Sequence, residues 1–183
     1  MTGLVSDPTG NPALVRPAPE EYKDYYQRYT VQVPDGDVLA TLEAGERELQ
    51  ALLRPVPESR ASDRYAPGKW SIKEVVGHMM DTERVMSFRA LYIARGGSEP
   101  LAGFDQEVFA DHARFDRRPL AGLLDEYGHL RQATLGLIRS FDAEAAVRRG
   151  TAWNHTVSVR ALVWIIAGHE RHHIAGLKEK YLN

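Results

Sequence analysis

The chain has no cysteine, which removes disulfides, thiolate metal sites and a protein thiol nucleophile together. Any metal must then be held by histidine, aspartate or glutamate. An excess of one charge is also missing: 23 Lys and Arg stand against 25 Asp and Glu, for a net charge of −2. Bulk electrostatics therefore gives no reason to expect a nucleic-acid partner. The longest apolar run, ALVWIIAG, falls far short of the roughly 20 residues that span a bilayer. Nor does the N-terminus show the basic-then-apolar pattern of a secretory signal. A soluble cytoplasmic protein with no membrane partner is expected. At 183 residues and 43% hydrophobic content, the chain suits a single domain with a sizeable core over residues 1–183.

Residues 1–20 carry Pro8, Gly10, Pro12, Pro17 and Pro19 and read as an N-terminal arm, because proline cannot continue a helix. Tyr22, Tyr25, Tyr26 and Tyr29 follow close together, and their rings are expected to dock the arm on the body.

Four longer segments have helical period. The first runs from about Asp37 to Leu53, with Val38, Leu39, Leu42, Leu49, Leu52 and Leu53 as its stripe, and Pro55 ends it. The second begins at Ser71, which with Glu74 has capping-box spacing, and Gly96 and Gly97 stop it. A third extends from about Pro119 to Ser140, and the fourth follows Ser158, its expected N-cap. Just before the fourth, GTAWNHTVS alternates around Asn154 and His155 and predicts a small hairpin. The fold class is all-α, a four-helix bundle. Residues 96–118 are too many for a short turn between antiparallel neighbours. An extended segment of that length can run back along the second helix, roughly 36 Å long. Helices two and three are thus read as parallel, joined by a long crossover.

The stretch GHERHHIAGL raises the question of chemistry. Residues four apart on a helix lie about 40° apart around its axis, so His169 and His173 can converge on one ion. Leu162, Ile166 and Leu177 share their track, which is otherwise apolar and should face inward. His172 shares a track with Glu179 and is assigned to the rim. A third imidazole is available from helix two, where His78 is flanked on its stripe by Val75, Thr82 and Val85. Three imidazoles leave coordination positions open, so His78, His169 and His173 are the candidate metal site. Nearby Asp81 and Glu83 lie about 60° and about 140° off the His78 stripe and gain no catalytic role from spacing.

WSIKEVVGHMMDTERVMSFRALYIARGG, PLAGFDQEVFA and IIAGHERHHIAGLKEKYL together resemble the DinB/YfiT-like superfamily of metal-binding four-helix bundles, over about residues 22–182. The marks are the helix-two histidine followed by D-x-E and the HxxxH of the last helix. The resemblance implies an up-down-down-up bundle and a divalent ion held near one end by His78, His169 and His173. Several relatives use the ion to activate a low-molecular-weight thiol such as bacillithiol or mycothiol. Others are labelled metal-dependent hydrolases, and some are damage-inducible with no known reaction.

The first expectation is therefore a metal-dependent transferase that activates a bacillithiol-type thiol for S-transfer to a small-molecule substrate. A hydrolase using the same ion, and a non-enzymatic stress-related metal-binding protein, are the alternatives. If Asp105 closed the coordination sphere, the last of these would gain. Three imidazoles with open positions suit zinc or nickel. Arg89, about 16 Å along the helix from His78, either binds an anionic cofactor group or pairs with Asp105 or Glu107. The loop at Gly103, Phe104 and Asp105 either walls a pocket or packs the crossover. Trp70 reads as an anchor at the cap of helix two, with lining the site as the alternative, and His112, His129 and His155 as surface residues, with approach to the site mouth as the alternative for His155. Exposed helix faces are compatible with a homodimer.

Overall fold

The computed structural model describes residues 14–182. Four long helices form the body: α2 (Val38–Leu53), α3 (Ile72–Ala94), α5 (Leu120–Arg139) and α7 (Val159–Lys180). Three short ones, α1 (Gln27–Thr30), α4 (Gln106–Ala113) and α6 (Ala143–Val147), fill the connections. Caps set the starts. Asp37 accepts from the Leu39 amide, Ser71 and Glu74 form a reciprocal capping box, and Ser158 accepts from Ala161. Gly96, at φ +85°, supplies the left-handed residue that ends α3.

Cross-links between helices fix their directions. Gln50 Nε2 donates to the Leu124 carbonyl and Arg139 pairs with Glu43, so α2 and α5 are antiparallel. Arg84 meets Glu126, Ser87 meets Thr134 and Arg95 meets Ser140, so α3 and α5 are parallel. Near the C-terminal end of α7, Tyr181 O–H donates to the Trp70 carbonyl at the start of α3, and Lys178 pairs with Glu48 of α2. The bundle is up-down-down-up.

The crossover departs from the extended path expected of it. It contains α4, capped by Asp105, and a turn at Phe115–Arg117 entered through Arg114 at φ +52°. An extended strand laid on the apolar flank of α3 would leave backbone groups unpaired, whereas a helix satisfies them internally. The hairpin forms as expected: β1 (Arg149–Ala152) and β2 (His155–Ser158) are antiparallel and joined by Trp153 and Asn154, both at positive φ. Residues 1–13 of the arm lie outside the described residues. Its remainder is docked: Leu14 is buried, its carbonyl accepts from Trp164 Nε1 at 2.9 Å, and Arg16 stacks over that indole.

The core divides in two. One apolar cluster gathers Leu42, Met86, Ile93, Leu135 and Trp164, and the other Leu49, Ile72, Met80, Leu123 and Leu177. On α3, α5 and α7 the residues between these clusters include Glu83, Arg131, His169 and Glu170, a polar layer across the bundle. The candidate histidines stand at the edge of this layer. His78 is about two turns in from the start of α3.

Candidate metal centre

His78 comes from α3, and His169 and His173 from successive turns of the antiparallel α7. Gly168, just before His169, lets α1 lie against α7: a Cβ there would sit 2.2 Å from the Tyr29 carbonyl oxygen. The close approach brings the Tyr29 ring edge-on to both His169 and His172, at 5.3 Å each. Trp70 covers the third imidazole, with ring centroids 4.5 Å apart from His78. It lines the site as well as anchoring the helix start.

Three Nε2 atoms converge. His169 Nε2 lies 2.9 Å from His78 Nε2 and 3.1 Å from His173 Nε2, and one ligand atom from each residue falls within 4.8 Å of the others. Imidazole nitrogens about 2.0–2.1 Å from one ion would be roughly 3 Å apart, so the spacing fits a shared cation. Hydrogen bonding alone does not account for it. A neutral Nε2 carries one proton or one lone pair, so His169 cannot satisfy both neighbours at once. Burial pushes the His78 imidazole down to about 4 and holds His169 and His173 well below the usual histidine range, where their mutual proximity adds to the effect. All three are neutral at pH 7, with no proton competing for the ligand lone pairs.

The remaining candidates go elsewhere. His172 is exposed and within 3.4 Å of Gln32 Nε2, at the rim as expected. His112 meets its own helix's Val108 carbonyl, while His129 and His155 are exposed. Asp105 is spent on capping α4, accepting from Glu107 and Val108, and does not join the three nitrogens. Asp81 pairs with Arg84. Arg89 is buried and pairs with neither Asp105 nor Glu107. It donates to the Ala102 carbonyl at 2.6 Å and stacks on Trp153, 3.6 Å from the ring centroid. Burial without a carboxylate partner lowers it to about 10.

Two features escape a reading by helix faces. Arg131 is fully buried beside the site, and all its N–H donors have acceptors: Glu83 at 3.1 and 2.8 Å, Glu170 at 3.0 Å, the Tyr127 hydroxyl at 2.8 Å and the Leu42 carbonyl. The available signal is an arginine four residues after Tyr127 on the apolar side of α5. The other is an aromatic wall. Tyr25, Tyr26 and Tyr29 do more than dock the arm: with Trp153, Thr82 and His169 they line a cleft of about 660 Å³, whose wall also includes Gly103, Phe104 and Asp105. A second cleft, of about 360 Å³, is lined by Lys69, Trp70, His172, His173 and Lys180. Gln106 and Glu107 border both.

A model of the DinB superfamily matches residues 41–176, from α2 through all three histidines. The chain belongs to the DinB superfamily. In fold this DinB protein is similar to YfiT from Bacillus subtilis, with a TM-score of 0.73 and 17% identity over 95% of this chain and 94% of that one. YfiT is described as "a probable metal-dependent hydrolase with an unusual four-helix bundle topology". Among curated proteins no match is found. No helix among the described residues is long and apolar enough to cross a membrane.

Proposed function

We propose that this DinB protein is a metal-dependent enzyme whose divalent ion, zinc or nickel, is held by His78, His169 and His173. The observation that carries the proposal is the convergence of three neutral Nε2 atoms, those of His78 and His169 buried and that of His173 partly so, of which His169 can satisfy only one neighbour. A divalent cation in such a ligand set supplies Lewis acidity at neutral pH and acidifies a water or a thiol.

Group transfer from a low-molecular-weight thiol to a small electrophile is the reading we favour. Clefts approach the histidines from two sides, His169 lining one and His173 the other, so two ligands can meet there. The chain has no cysteine, so a sulfur nucleophile must arrive with a cofactor. Three of the nearby carboxylates are already engaged: Glu83 and Glu170 hold Arg131, and Asp105 caps α4. The general base that would help a hydrolase would then fall to Glu107, exposed on the border of both clefts. The hydrolase reading draws its support from the description of YfiT.

A conjugation assay separates the two. Protein loaded with zinc or nickel is incubated with bacillithiol, mycothiol or glutathione and a panel of electrophiles, beside matching ester and amide substrates. Metal-dependent thioether formation that disappears in His169→Ala is expected. Hydrolysis without thiol dependence would replace the transferase reading, and neither activity with any metal would remove both.

A further inference from the structure

Thr82 is one turn along α3 from His78 and 4% exposed, and its Oγ1 is the one buried side-chain oxygen or nitrogen among the described residues without a hydrogen-bond partner. A helical threonine readily returns its hydroxyl to the carbonyl four residues back. Here it does not. A buried hydroxyl left unpaired is costly, and this one belongs to the wall of the 660 Å³ cleft, beside His169.

Much of the rest of that wall is aromatic. Tyr25, Tyr26, Tyr29, Phe104 and Trp153 contribute five rings. Trp153 is fixed with unusual care. Its backbone is left-handed, at φ +52°, at the tip of the hairpin; Arg89 stacks on the indole and Tyr26 packs 5.3 Å away. A bulky residue at positive φ persists only where its surroundings impose it. The cleft's charged lining residues, Lys23, Asp105 and Glu107, are all exposed, so no charged side chain of the lining itself is buried to pair with an ionic ligand. Its volume suits a small organic molecule.

We infer that this cleft is the binding pocket for an uncharged, planar aromatic substrate, with Thr82 Oγ1 hydrogen-bonding its polar substituent and Trp153 and the tyrosines flanking its ring. Arg89 is a positioning residue that holds Trp153 in place. The inference deepens the proposed function by naming the class of the organic substrate. It rests on that reading for the reaction but not for the binding.

Binding is therefore tested in chelator-treated, metal-free protein by ligand-observed NMR titration, with 2-naphthol and 2-methylnaphthalene as probes. Saturable 2-naphthol binding is expected, weakened about fivefold by Thr82→Val, the loss of one hydrogen bond. The hydroxyl-free 2-methylnaphthalene should bind wild type and Thr82→Val alike. Trp153→Ala should weaken both probes about tenfold. Tyr25→Ala, at a site already 47% exposed, gives a smaller loss for both and serves if the tryptophan variant does not fold. The inference is overturned if 2-naphthol does not bind wild type, if Thr82→Val affects both probes equally, or if the folded ring variants bind as wild type does. Success or failure here is independent of whether the three histidines bind an ion.

Discussion

Glu170 follows His169 directly, and Glu83 comes five residues after His78, yet the two buried polar clusters they belong to are built differently. Around Arg131 every donor has an acceptor, opposite charges face each other, and Tyr127 O–H donates to Glu170 at 2.6 Å. Nothing further can enter. Among the three histidines no opposite charge is present, one nitrogen has two neighbours and can satisfy one, and clefts reach the rings from both sides. A complete network holds helices together; an incomplete one leaves ligand lone pairs open to a further partner. Gly45 shows how closely the complete one is fitted, since a Cβ there would sit 2.0 Å from Glu170 Oε2.

The largest expected effect strikes the complete cluster. Arg131→Met strands two buried carboxylates and should lower stability by about 3–5 kcal/mol, read from urea denaturation. A variant as stable as wild type would show that the network is not the structural half of the pair. Next comes the incomplete cluster. Zinc at a hundred times its dissociation constant should stabilise the fold by about 2.7 kcal/mol, and His169→Ala should abolish that gain in a thermal melt with and without metal. Gly45→Ala tests the fit between α2 and Glu170. It should cost about 1–3 kcal/mol through overpacking, with metal content unchanged.

The smallest effect concerns Glu21, a buried carboxylate far from both clusters. Burial pushes it up, but hydrogen bonds from Arg160 and Ser158 more than offset this and hold it below the usual range. A lowered value means its contribution is present above the unfolded carboxylate pKa of about 4.3 and is lost as pH falls through the folded value. Stability measured from pH 6 to pH 3 should therefore fall more steeply in wild type than in Glu21→Gln, by up to about 1 kcal/mol. Equal slopes would remove Glu21 from the account.

Local signals carried far in this chain. Helical period and the side chains of Ser71 and Ser158 located the long helices, and the tracks through Leu162, Ile166 and Leu177 turned His169 and His173 inward as the structure has them. Helix angle gives Asp81 and Glu83 no catalytic role, and in the structure they pair with Arg84 and Arg131. What escaped depends on partners distant in sequence. Tyr29 meets His169 and Arg131 meets Glu83 only because four helices pack, and no spacing within one helix encodes either contact. In the crossover, α4 is short and mostly exposed, so its apolar residues make no stripe long enough to read. The spacing of Arg89 from His78 puts it on the inward face of α3, but its stacking on Trp153 is a property of the hairpin's position, not of α3.

Metal content tests the central claim most directly. Untagged protein, reconstituted with zinc or nickel and freed of excess ion, is measured by elemental mass spectrometry beside folded His78→Ala and His173→Ala variants. The account predicts about one tightly held ion per wild-type chain, absent from both variants. A wild type that holds none, or variants that keep it, would contradict the account.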